Sequence, residues 1–146
     1  MKPLLIAIGI VLAQGCSSIE QPESYYLSRQ ELVADNAIQH GWIPAWLPAS
    51  AHAINEAHNL DTNEVWMKFE FDAAELQAIG FCRKDNTVTL RGARRPRLKH
   101  GSWWGKGEAG DWQGYICRWE QGGTARTAKM LVSKDRGVAL YWEEGH

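Results

Sequence analysis

Apolar residues fall along the chain in continuous, helically spaced and alternating runs, and these runs divide it into elements. Leu4 to Ala13 is continuously apolar. At Ser28 the spacing turns helical. Ser28-Arg-Gln-Glu31 forms a capping box, Leu27 and Leu32 occupy the positions of a hydrophobic staple, and Val33, Ala34, Ala37 and Ile38 share a face. The pattern therefore predicts a helix closing at Gly41. Pro44 and Pro48 stop any continuation, so Trp42, Ile43, Trp46 and Leu47 should form a stiff strap across the core. Ala49 to Asn59 fits two templates: a short helix capped by Ser50, or a strand with His52, Ile54, Glu56, His58 and Leu60 on one face. After the turn Asp61-Thr-Asn63, Val65, Met67, Phe69 and Phe71 alternate with Trp66, Lys68 and Glu70, the signature of a half-buried strand.

A second capping box, Asp72-Ala-Ala-Glu75, with Phe71 and Leu76 as its staple, starts a helix that Gly80 ends. Phe81 to Arg83 and Thr87 to Arg91, joined by Lys84-Asp-Asn86, predict a hairpin. Tyr115–Glu120, Ala125–Ser133 and Val138–Glu143, separated by Gln121-Gly-Gly123 and Lys134-Asp-Arg-Gly137, predict an antiparallel meander. Together these give an α+β expectation: two short helices packed on a mainly antiparallel sheet that ends in a three-stranded meander.

The continuous run reads differently. Lys2 precedes it and small residues follow, in the order of a secretory signal. It is about half the roughly 20 residues that cross a bilayer as a helix. Ala13-Gln-Gly-Cys16 then resembles the lipobox of bacterial lipoproteins. The resemblance implies cleavage after Gly15 and a diacylglyceryl group on Cys16; Ser17, not Asp, then implies an outer-membrane address facing the periplasm. Ala13 stands where that pattern prefers Leu, and Gln14 is larger than usual. Two or more acyl chains, at about 0.8 kcal/mol per buried methylene, would hold the protein firmly. The expected organisation is a cleaved signal over 1–15, a lipidated N-terminus and tether over 16–27, and one globular domain over 28–146. Such a tether holds the domain within about 20 Å of the bilayer.

Cleavage would leave 131 of the 146 residues (146 minus 15), enough for one domain, and would move the formal charge from -1 to -2 by removing Lys2. That balance draws the chain to neither nucleic acid nor membrane. With Cys16 assigned to lipid, Cys82 and Cys117 remain. The natural reading in an oxidising compartment is a disulfide closing a loop of about 36 residues, worth about 4 kcal/mol. Two buried thiols or half of a metal site are the alternatives, although a metal site would want more ligands at short spacing.

Gly41-Trp-Ile-Pro, Leu47-Pro, Ser50-Ala, then Ile54, Asp61-Thr-Asn63, Trp66 and Phe69 resemble a recurrent signature of small uncharacterised bacterial proteins. That resemblance implies one domain and no particular activity.

Eight tryptophans are the unusual feature of the composition. Three of them, Trp103, Trp104 and Trp112, stand among glycines in the second half of the stretch 92–114, whose first half is a basic run with Arg91, Arg94, Arg95, Arg97 and Lys99. An aperiodic loop of more than about twenty residues is uncommon unless it has a function or moves. It is therefore the candidate binding surface, its indoles suited to a sugar ring or a partner side chain and its cations to lipid headgroup phosphates or an envelope polymer. The competing reading makes the tryptophans a lid over the core and the cations a solvated face. Export argues against nucleic acid.

His52, Glu56, His58 and Asp61 have metal-ligand chemistry without a zinc spacing, so a surface strand explains them better than a metal does, and no cofactor is expected. Glu108 and Asp111 could be drawn as a hydrolytic carboxylate pair, as could many pairs among 17 acids. The expected function is thus a lipid-anchored envelope protein with a non-catalytic binding or inhibitory domain. The alternative is a cell-wall hydrolase or other envelope enzyme.

Overall fold

A computed structural model of the chain describes residues 21–100, 103–105 and 110–145. The signal segment and Cys16 lie outside the described residues, as do Gly101, Ser102 and Lys106 to Ala109. Seven strands form one antiparallel sheet: β1 (Glu23–Ser28), β2 (His52–His58), β3 (Val65–Glu70), β4 (Cys82–Lys84), β5 (Gln113–Gln121), β6 (Thr124–Ser133) and β7 (Val138–Glu143). Their order is β1-β2-β3-β7-β6-β5-β4. The expected meander is the run β5, β6, β7, and β7 returns to the middle of the sheet against β3.

The α+β expectation is overturned. The only α-helix among the described residues, α1 (Arg29–Ala34), is six residues long, and the second expected helix is a 3-10 turn over Ala73–Ala78. Both N-terminal signals were genuine: Ser28 Oγ accepts from Glu31 N at 3.3 Å, and the Asp72 side chain caps Ala74. A capping box specifies a first turn and not a length. Asn36, at φ 58°, ends α1 early. Ala37 N then bonds Leu32 O and Asn36 N bonds Val33 O, closing a Schellman motif five residues before Gly41. Leu27 makes no staple; it sits on β1 pointing outward, 68% exposed, while Tyr26 points in.

Three further expectations change. The tether cannot run to Leu27, because Glu23 to Ser28 pairs with β2 and Gln21 is already buried. The hairpin partner expected at Thr87 to Arg91 is instead a loop with a 3-10 turn over Leu90–Gly92. Gly114 explains the loop's path: a Cβ there would lie 2.4 Å from Asp85 O and 2.8 Å from Val88 O, so the chain crosses directly over the β5 backbone. Finally, β3 is buried on both faces, Trp66 as fully as Met67.

The reason is that both faces of the sheet are covered. Over the first lie α1, the Pro-stiffened strap through Ile43 and Leu47, and Leu76 and Ile79, packed on Ile54, Met67, Phe69, Met130 and Tyr141. Over the second the chain from Val88 to Trp112 packs on Ala57, Trp66, Leu131, Leu140 and Trp142. Cys82 and Cys117 are bonded and lie directly opposite each other in register, so the bridge ties short edge strand β4 to β5 on the first face, just before the chain enters the second cover.

Candidate functional site

Where the strap crosses one end of the first face it leaves a cleft of about 550 Å³. Its floor comes from inward positions of five strands, His58 on β2, Val65 on β3, Gln121 on β5, Arg126 on β6 and Glu143 on β7. On β2, Glu56 and His58 alternate inward with Ile54, each nearly fully buried. A bulge between His52 and Asn55, with Ala53 at φ 47°, carries His52 to the surface, so the two histidines part company. His58 Nδ1 lies 2.7 Å from Glu56 Oε1, and the Trp42 indole stacks on the imidazole at 3.9 Å and 16°. His58 Nε2 is buried with no hydrogen-bond partner among the described residues. Burial pushes the Glu56 carboxyl above its ordinary range, against the pull of His58.

Across the sheet, Glu143 on β7 accepts a two-point contact from Arg126 on β6, Nε at 2.9 Å and Nη2 at 2.6 Å. Tyr141 OH donates to the same carboxylate. Burial and the Glu143 charge push the tyrosine hydroxyl well above its ordinary range, so it stays a donor. Arg126 also lies 5.5 Å from the centre of the Trp119 ring and donates to Gly41 O on the strap. Gln121 on β5 completes the fastening. Its Oε1 accepts from Ala45 N and Trp119 Nε1, and its Nε2 donates to Ile38 O and Ile43 O.

The charged walls of the cleft are therefore neutralised in place. Arg126 pairs with Glu143, Lys129 with Glu144, and buried Glu64 with Arg94 at 2.7 Å. What remains toward the opening is amide, hydroxyl and imidazole from Gln39, His40, Asn63, Thr124 and Thr127, beside the apolar surfaces of Ile38, Trp42 and Leu60.

The residues singled out in the sequence do not converge here. His52 sits on the surface 3.4 Å from Glu70, and Asp61 lies in an exposed turn. No group of three or more His, Cys, Asp or Glu positioned to hold a metal occurs among the described residues. Trp104 is buried, edge-on to Trp142 at 5.9 Å, and its neighbour Trp103 is half-buried. Trp112 lies under Arg136, whose guanidinium carbon is 4.7 Å from the ring centre. These tryptophans thus form the cover of the second face. Arg94, Arg95, Arg97 and Lys99 are exposed, and of these four only Arg94 has an acidic partner among the described residues. Asp111 is exposed and Glu108 lies outside the described residues, so no carboxylate pair can be measured.

Sequence reasoning missed Gln121, Arg126 and Glu143. Their signal was polar residues at inward positions of otherwise apolar strands: Tyr141 and Glu143 alternate with Leu140 and Trp142, and Gln121 follows Cys117 and Trp119 at period two.

Comparison with known proteins gives a partial match. The family model described as the YbbD head domain, of periplasmic or envelope type, matches residues 20–70, which is 51 of the 146 residues. The matched span carries β1 to β3 and the strap, and so contributes Trp42, His58 and Glu64 to the cleft, with Glu56 buried behind His58, while Gln121, Arg126 and Glu143 lie beyond it. No curated protein and no solved structure matches the chain.

Proposed function

We propose that this protein is a lipid-anchored envelope domain that binds a neutral, hydroxyl-rich ligand, such as a glycan segment of the cell envelope, in the cleft beneath the strap. The observation that carries the reading is the charge balance of the cleft. Each charged wall residue with an ion-pair partner spends its charge inside the fold, which disfavours a charged ligand, while unspent amides and hydroxyls stand beside an indole face. An apolar face with a few placed polar groups suits a saccharide ring. The match to an envelope-type family supports the compartment. The Ala13-Gln-Gly-Cys16 motif and the bonded Cys82–Cys117 pair support an oxidising, membrane-attached location. Binding rather than catalysis is favoured because His58 is sealed beneath Trp42, with its free nitrogen out of reach of a substrate.

The test is titration of purified protein with muropeptides and with neutral oligosaccharides, followed by intrinsic tryptophan fluorescence. Trp42→Ala should weaken binding at least about tenfold, as loss of an aromatic anchor does, while Trp103→Ala leaves it unchanged. Equal binding by both variants, or preference for an anionic ligand, would overturn the cleft as the site.

A further inference from the structure

A second and smaller site lies where β1 begins. The Gln21 side chain is 4% exposed, yet its Nε2 has no hydrogen-bond partner among the described residues. Its Oε1 accepts from Arg97 N at 3.2 Å, and the Glu23 carboxylate accepts from Lys99 N and His100 N. The basic run is thereby laid along the start of the edge strand. Between them opens a groove of about 200 Å³ whose walls include Gln21, Arg94, Arg95 and Arg97.

Its acids are Glu64 and Asp61. Both Glu64 oxygens are occupied, one by Arg94 Nη1 and the other by Thr62 Oγ1, each at 2.7 Å. Asp61 stands exposed at the rim. Against them stand Arg95 and Arg97, exposed and without an acidic partner among the described residues, with Arg91 and Lys99 extending the same sign beyond the groove. A buried amide donor without an acceptor, in one groove with Arg95 and Arg97, has the chemistry to hold an oxyanion.

We infer that this groove takes the phosphate of an anionic phospholipid headgroup, and that the basic edge of the domain lies on the leaflet that holds its anchor. The inference rests on the anchoring reading of Cys16. Cys16 precedes Gln21 by five positions, and even fully extended backbone spans about 18 Å over that length. The groove is therefore held at the interface, where a polybasic segment meets its strongest attraction.

The test uses the full-length lipidated protein reconstituted on phosphatidylcholine vesicles with and without phosphatidylglycerol. Hydrogen exchange at residues 94–100 should slow by about tenfold on the anionic vesicles and recover in high salt. Arg95→Gln/Arg97→Gln should abolish the difference, and Gln21→Leu, which removes only the amide, should reduce it. Equal exchange on the two vesicle types overturns the inference. So does the same protection produced by inorganic phosphate without a membrane, which would make the groove a free-phosphate site. Recovery of protein unbound from neutral vesicles overturns the anchor instead, so the two failures are separable.

Discussion

The two covers of the sheet are built on different principles. The first cover, from Arg29 to Ala51, is fastened by side chains reaching up from the strands, Gln121 and Arg126 above all, which bond the strap backbone at Ile38, Gly41, Ile43 and Ala45. The second, the described residues between Val88 and Trp112, is held by indoles packed edge to face, with its polar ties gathered in the basic stretch: Trp66 Nε1 to Arg94 O at 2.8 Å, Arg94 to Glu64, and Gln21 and Glu23 to the backbone of Arg97, Lys99 and His100. The polar fastening leaves a cleft of about 550 Å³, whereas the groove that the aromatic cover leaves beside Gln21 is about 200 Å³. Tryptophan density in this chain therefore marks closure, and the cleft lies where the tryptophans are fewer.

This contrast can be broken first at Arg126. Arg126→Ala would strand the Glu143 carboxylate in a nearly dry site, and removing one partner of a buried pair costs about 3–5 kcal/mol. Urea denaturation should report that loss, together with faster hydrogen exchange in the strap at Gly41 to Ala45; a loss confined to the second cover would reverse the assignment. Next comes the bridge. Cys82→Ala/Cys117→Ala should cost about 2–4 kcal/mol and raise exchange across 85–100 more than in the strap. Trp66→Phe keeps an aromatic ring in the buried cluster but drops the hydrogen bond to Arg94 O, for about 1 kcal/mol. A larger effect would mean that the second cover depends more on its polar ties than on its packing.

The smallest expected effect is electrostatic. Burial raises the Glu56 carboxyl in the fold, so the native state holds that proton more tightly than the unfolded chain does. Its contribution is complete below the unfolded carboxyl range and fades as pH rises through the folded value. Glu56→Gln should therefore flatten the fall of Tm with rising pH above the ordinary carboxyl range. A steeper fall in the variant would count against the raised value.

Much of the sheet was legible. Apolar runs through β5, β6 and β7, punctuated by Gly122-Gly123 and Gly137, mark out the meander, and Gly137 is held at φ 60° with Phe71 O 2.7 Å from where a Cβ would stand. Strand β1 was not legible, because Glu23-Ser-Tyr-Tyr-Leu27 follows Pro22 directly and runs into a strong cap at Ser28. Helix length was over-read because caps mark starts, whereas Asn36 in the left-handed region marks the stop. The cleft was hidden for a different reason. Glu56 and His58 look like surface residues until Trp42, from a strap distant in sequence, covers them. Arg126 and Glu143 belong to neighbouring strands whose pairing a linear pattern does not display.

Gln121 carries a further consequence. Its amide is saturated, with oxygen facing two N–H groups and nitrogen facing two carbonyls. A glutamate has the same shape, yet it would set an acceptor against Ile38 O and Ile43 O. Polarity, atom by atom, is what this position specifies. Spontaneous deamidation there, an exchange of NH2 for O, would accordingly age the protein by releasing its strap without altering a single contour of the core.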